Sequence, residues 1–377
     1  MEATSEIVIN PLILNRDCWL SICELLTFRD ILNLAKVSPA YKKCMQIYVL
    51  PTKFQYLQIS FKHNFNCIDL EDLRTLIDSI WRTVKYLSLL FLPDKHFELL
   101  KLYRFPCTTE MRVTLARPMY DADIRSLSES FPNLRTFAPN GYWANPAIAS
   151  FSHLENLTLT CCKKIRICDF RRILLALNLK SLTLNIFKKV KPLMYEEQLK
   201  LSKIEELTLN CHELKWISSL DVTSENVYTN LKMLIIAGSL AERWNIVDLF
   251  TNMKDIISKD AHEIEIANVG FDLVYDIMVP EKFEFLNGVQ KLICVNIDIL
   301  RDVFEFPNRF KGLRELYFYY CYARSNEAVV GLITNSDQLD LISFEHCEVL
   351  EINESCLKAL RERREPLRFN RYPPSKM

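Results

Sequence analysis

A six-residue pattern, apolar-x-x-apolar-x-apolar, returns along most of this chain. It reads Leu154-Glu-Asn-Leu157-Thr-Leu159, Leu179-Lys-Ser-Leu182-Thr-Leu184, Ile204-Glu-Glu-Leu207-Thr-Leu209 and Leu231-Lys-Met-Leu234-Ile-Ile236. It continues through Ala261 to Ile266, Val289 to Cys294, Leu313 to Phe318 and Leu339 to Phe344. The fourth residue of each unit falls at 157, 182, 207, 234, 264, 292, 316 and 342, steps of 24 to 30 residues. Upstream, Val84 to Leu89 is clear, and Phe54 to Ile59, Glu110 to Leu115 and Leu134 to Pro139 are degenerate copies. Alternation within each copy predicts a short strand with one apolar face, and stretches such as Asp169 to Leu177 and Asn326 to Ile333 predict helical returns. One such unit cannot bury its apolar face alone. The predicted fold is therefore an α/β solenoid, a horseshoe with a parallel sheet on its concave side and helices on its convex side.

A period of this length is leucine-rich-repeat spacing. Three residues past the last apolar position stand Cys162, Cys321 and Cys347. They resemble the cysteine-containing class of leucine-rich repeats, in which a small polar side chain in the turn meets backbone groups that would otherwise be buried unpaired. In that resemblance Cys162-Lys-Lys-Ile165 leads into a helix capped by Asp169.

Before the repeats the period changes to that of a helix. Cys18, Trp19, Ile22, Leu25 and Leu26 share one expected face, and Ile31, Leu34 and Val37 mark a second short helix that Pro39 ends. Leu14, Asp17, Cys18, Trp19, Ile22, Leu26, Asp30, Ile31, Leu34, Val37, Ser38 and Tyr41 follow the pattern of an F-box, with Asn15 where proline is usual. The chain thus resembles the F-box proteins with leucine-rich repeats. That resemblance implies an all-α F-box over 8–50, repeats over 51–365 and a closing segment with tail over 366–377. It implies that Leu14, Asp17, Trp19, Ile22, Leu26, Ile31, Leu34, Val37 and Tyr41 dock on a Skp adaptor and through it a cullin. The chain would then be the non-catalytic substrate-recognition subunit of a Skp-cullin-F-box ubiquitin ligase, with the repeats binding a protein substrate. The residues also fit a helical cap that closes the first repeat, which leaves a leucine-rich-repeat binding scaffold with no ubiquitin role.

Residues between the apolar positions face out of the sheet, which makes Glu315, Tyr317, Tyr319, Thr183, Asn185, Thr208 and Asn210 candidate substrate contacts. Aromatics in such places bury much area at small entropic cost. Lys163, Lys164, Arg166, Arg171, Arg172, Lys180, Lys188, Lys189 and Lys191 stand against the single acid Asp169. That stretch suits an acidic or phosphorylated segment, or is a solvated convex surface.

Composition narrows the alternatives. Forty-seven basic and 47 acidic residues cancel, so neither nucleic acid nor membrane is an expected partner. Six glycines, none grouped as GxGxxG or GxxxxGK, argue against a nucleotide site. Thirteen scattered cysteines without paired spacing read as reduced thiols, and no metal or cofactor is expected. Six histidines lie far from any nucleophile motif. The first residues lack a secretory pattern, and the longest apolar run, Tyr86 to Leu92, is far below the ~20 residues of a membrane span. An intracellular site, cytoplasmic and/or nuclear, is expected.

Overall fold

The fold is that of a computed structural model describing residues 14–62, 68–142, 146–160, 167–185, 203–211, 214, 230–238, 243–244, 249, 253, 256–257, 261–267, 270–271, 286–299, 311–323, 326–347, 353–363 and 366–372. Packing divides the chain into two units, Met1–Leu177 and Asn178–Met377.

The first unit opens with α1 (Arg16–Glu24), α2 (Phe28–Val37), α3 (Pro39–Cys44) and α4 (Leu50–Lys53), a π-helical turn over Met45–Val49 joining the last two. Each start is set by local chemistry. Asn15 accepts a hydrogen bond from the Cys18 amide at 2.8 Å and so is the cap of α1. Thr27 and Asp30 form a capping box on α2, and Ser38 accepts from the Tyr41 amide ahead of α3. Such caps satisfy amides that a first turn leaves bare, and each stabilises by about 0.5–2 kcal/mol. At the other end of α1 the Lys53 ammonium reaches the carbonyls of Cys23 and Leu26 at 2.5 and 3.0 Å. A cation there also complements the helix dipole.

The unit continues with β1 (Tyr56–Ser60), α5 (Leu70–Ile80), β2 (Tyr86–Leu92), α6 (Asp94–Leu100), β3 (Glu110–Met119), α7 (Asp121–Ser130), β4 (Thr136–Tyr142), β5 (Asn156–Thr160) and α8 (Ile167–Ala176). The five strands are parallel and ordered as in the chain. Leu57, Leu87, Met111, Phe137 and Leu157 stand opposite one another in a buried row, so the degenerate units stack as the clear ones do. Register shifts occur between Leu89 and Leu92 and between Thr114 and Met119. At the second shift Arg117 forks to Asp94 (2.8 Å) and Asp123 (2.7 Å), tying the long β3 to α6 and α7. Lys36 of α2 meets Asp72 of α5 at 2.7 Å, and Met45, Val49 and Leu50 are buried, which seats the N-terminal helices against the first repeat.

The second unit holds β6 (Ser181–Asn185), β7 (Glu206–Asn210), β8 (Met233–Ala237), β9 (Glu263–Ala267), β10 (Lys291–Val295), β11 (Glu315–Tyr319), β12 (Leu341–Glu345) and β13 (Arg368–Tyr372), again parallel and in chain order. Leu182, Leu207, Leu234, Ile264, Leu292, Leu316 and Ile342 form one continuous row at 0% exposure. This is the fourth-position ladder read from the sequence, and it makes the fold a leucine-rich-repeat solenoid. α9 (Asn326–Asn335) and α10 (Glu354–Glu362) are helical returns, and β13 is the expected closing strand. Arg363 fastens the end of α10 back onto the preceding repeat through the carbonyls of Ile333 (3.0 Å), Asp337 (3.0 Å) and Leu339 (2.7 Å).

The turns after the strands carry the cysteines as expected. The Cys321 thiol lies 3.3 Å from the Cys294 carbonyl and the Cys347 thiol 3.4 Å from the Phe318 carbonyl, each reaching the last apolar position of the preceding strand. Asn296, Tyr320 and His346, just before the turn residues Ile297, Cys321 and Cys347, take φ of 50°, 54° and 54°. That left-handed region strains a non-glycine residue by about 1–2 kcal/mol. In return the amide of Asn296 bonds the Tyr319 carbonyl at 2.8 Å and that of Tyr320 the Glu345 carbonyl at 2.9 Å. Hydrogen bonding with Cys347 and burial raise the Cys321 thiol, and burial pushes Cys294 up to about 12. Thiols held protonated in this way are inert, which fits a structural role. Cys162 lies outside the described residues. One expectation is corrected: α8 starts at Ile167, so Asp169 is not its cap but a fully buried residue of its first turn.

Two outcomes test this packing. A Cβ at Gly312 would collide with the Asn287 carbonyl oxygen. Gly312→Ala should therefore lower unfolding stability by about 1–3 kcal/mol in urea titration, and an unchanged midpoint would refute that close approach. Burial opposes the Asp123 charge, but Arg117 and the Tyr120 amide outweigh it and hold the carboxyl below its ordinary range. A lowered folded pKa contributes stability above the unfolded value, about 3.9, that is lost as pH falls through the folded one. Stability should thus drop more steeply below about pH 4 in the wild type than in Asp123→Asn, and equal slopes would show the pair to be energetically idle.

Candidate functional sites

α1 bears two adjacent apolar stripes of the same i, i+4, i+7 spacing. Trp19, Cys23 and Leu26 turn inward, with Trp19 5% exposed and its ring edge-on to Tyr41 at 5.7 Å. Cys18, Ile22 and Leu25 turn outward, with Ile22 42% and Leu25 89% exposed. The single face expected over Cys18 to Leu26 is therefore divided. A rotation of about 100° per residue sets the stripes side by side, and together they are wider than so small a bundle covers.

Of the residues expected to contact an adaptor, Leu14, Asp17, Ile22 and Val37 are exposed and Leu26, Leu34 and Tyr41 half-buried. Trp19 and Ile31 are core residues, able to hold the face but not to touch a partner. The outward set gains Leu25, Ile47 and Tyr48. Ile47 and Tyr48 sit in the π-helical turn, whose wider winding escapes a search at the α-helical period. Single exposed apolar residues are ordinary, but six within one short helical segment are a candidate interface.

The second candidate is the open face of the sheet in the second unit. Tyr317 and Tyr319 lie parallel on β11, planes 3° apart and centroids 6.1 Å apart, which places side by side the two tyrosines expected there. The Tyr317 hydroxyl donates to Glu315 Oε2 at 3.1 Å. Lys291 on the neighbouring strand pairs with Glu263 at 2.9 Å and holds its ammonium 5.4 Å from the Tyr317 ring centroid. Partial burial, helped by Glu315, pushes the Tyr317 hydroxyl up to about 12, and burial with Glu263 raises the Glu265 carboxyl. Thr183 and Thr208 are opposite one another on β6 and β7, with Asn185 and Asn210 half-buried nearby in sequence. Four strand spacings, about 19 Å, separate β7 from β11, so these residues and the tyrosines do not form one site. Sequence reasoning passed over Glu263, Glu265, Lys291 and Glu345, whose common signal is a charged residue at an outward position.

Of the basic stretch, Lys163, Lys164, Arg166, Lys188, Lys189 and Lys191 lie outside the described residues, while Arg172 and Lys180 are exposed. Among the described residues no three His, Cys, Asp or Glu side chains are grouped to hold a metal, and no helix is long and apolar enough to cross a membrane. A cleft of about 650 Å³ between α2 and the end of β1 is lined by Leu32 and Ile59 and by the paired Lys36 and Asp72.

No protein-family model and no curated protein matches the chain. Solved structures similar to it include an internalin from Listeria monocytogenes at 12% identity and TM-score 0.35, covering 80% of this chain and 70% of that one. A TLR13–ssRNA13 complex is similar at 13% identity and TM-score 0.47, covering 89% of this chain and 49% of that chain. Internalin C2 from Listeria monocytogenes follows at 13% identity and TM-score 0.30, covering 60% and 84%.

The two stripes of α1 should separate on mutation. Trp19→Ala should destabilise the N-terminal helices by about 3–5 kcal/mol, whereas Leu25→Ser should stay within about 0.5 kcal/mol of wild type in thermal unfolding. Equal losses would place both side chains in the core.

Proposed function

We propose that the chain is the substrate-recognition subunit of a Skp-cullin-F-box ubiquitin ligase. Its N-terminal helices dock on the Skp adaptor, and its repeats bind a protein substrate. In this reading it is intracellular and catalyses nothing itself. The observation that carries it is the outward stripe of Cys18, Ile22 and Leu25 beside an already filled core of Trp19 and Cys23. A segment that only closed a repeat would need its inward residues alone, and an exposed apolar stripe is a liability unless a partner covers it. The F-box pattern over Leu14 to Tyr41 supplies the identity of that partner.

The second reading, a binding scaffold whose helices merely cap the first repeat, is favoured by the Lys36 to Asp72 ion pair and by burial of Met45, Val49 and Leu50. These contacts use residues other than the outward stripe, so capping and docking are compatible. They do not decide between the readings.

Co-purification of the full chain with the Skp adaptor decides. Ile22→Asn with Leu25→Ser spares the core, in contrast to any change at Trp19. Covering two such side chains is worth about 1.5–3 kcal/mol each, so the double variant should bind about a hundredfold more weakly while melting like wild type. Absence of adaptor binding by the folded wild type would leave the scaffold reading.

A further inference from the structure

We propose that the open face of β9, β10 and β11 takes an extended peptide segment bearing lysine or arginine, the cation seating between the Glu265 carboxylate and the rings of Tyr317 and Tyr319. This names the substrate class for the receptor reading given above and rests on it.

The register supplies the geometry. Glu265, Ile293 and Tyr317 stand in one cross-strand row, so carboxylate and ring are two strand spacings apart, about 10 Å, with Ile293 as an apolar floor between them. A lysine or arginine side chain has the matching shape, an apolar stem with a charged head. The protein already demonstrates the chemistry with its own cation: Lys291 lies over Tyr317 and pairs with Glu263. Ring faces carry negative potential, and the guanidinium plane also stacks on them.

Charge selects the same occupant. The outward positions of β9 to β13 carry Glu263, Glu265, Glu315 and Glu345 against Lys291 and Arg368, an excess of acid. Glu263 is paired with Lys291, Glu315 accepts from Tyr317 and Glu345 accepts from Ser343 at 3.3 Å. Glu265 is half-buried, and among the described residues it has no hydrogen-bond donor, which leaves it the carboxylate with most to gain from a cation. A phosphorylated or acidic segment would meet this excess with repulsion. The tyrosines add what a group of acids lacks, a rigid and partly desolvated surface against which a side chain is fixed.

The test uses the full chain and a fluorescent peptide alternating arginine with serine, compared by anisotropy with the same peptide carrying glutamine or glutamate in place of arginine. The arginine peptide should bind best and weaken as salt is raised. Glu265→Gln and Tyr317→Leu should each weaken it about tenfold, while Tyr317→Phe, which keeps the ring, and Glu98→Gln, an exposed acid on α6, should bind like wild type. Both Glu265→Gln and Tyr317→Phe are near-isosteric, so a folding loss in Tyr317→Leu leaves the comparison intact. Equal binding of the glutamine or glutamate peptide would overturn the proposal, as would arginine binding that ignores Glu265→Gln. Adaptor binding without arginine preference sinks this inference alone. Arginine preference without adaptor binding sinks the ligase reading and keeps the surface.

Discussion

A strand of five residues has no stability of its own, and in this protein each is held because its central apolar side chain meets the same position on the strands beside it. Ordering a residue costs about 1–2 kcal/mol of backbone entropy, and full burial of a leucine returns about 1.5–3 kcal/mol. One strand therefore cannot hold itself, and a row of them can. Within the second unit Leu182 through Ile342 form that row without an exposed member, and Leu57 through Leu157 form its counterpart in the first. The candidate surface on the sheet is placed by these rows. They fix the register, and the register decides which side chains share the outward face.

The turns show how the stacking is kept in phase where side chains alone would not do it. Cys321 and Cys347 each lend a thiol to a carbonyl of the preceding strand, and the left-handed Asn296 and Tyr320 send amides forward to the following one. Strain at Tyr320 and His346 is local, and the stacking of their rings at 5.1 Å helps hold the turns in line. Hydrogen bonding with Cys347, together with burial, holds the Cys321 thiol protonated, and burial does so for Cys294, although either could be mistaken for a reactive group.

The two candidate surfaces arise from opposite departures from this economy. On α1 there is more apolar surface than the bundle can cover, and the surplus faces outward through Ile22 and Leu25. On β9 to β11 two stacked tyrosines stand among the charged groups of the outward face, with a lysine over one ring. Under the proposed ligase-receptor function, one surface would join the machinery and the other would choose the substrate.

The sequence by itself determined the repeat, its period and the row of fourth-position residues, because alternation and spacing are one-dimensional consequences of strand and stacking geometry. It also determined the N-terminal change to helical period, the break at Pro39 and the turn role of the later cysteines. The tertiary structure alone decided which of the two stripes on α1 is core, because periodicity reports a helix face but not what lies against it. It likewise decided that Asp169 is buried inside a turn of helix, that a π-helical turn brings Ile47 and Tyr48 outward, and that Glu265 and Lys291 flank the tyrosines. Those residues are near neighbours only across strands, at sequence separations set by return segments of unequal length, and no local pattern records that distance.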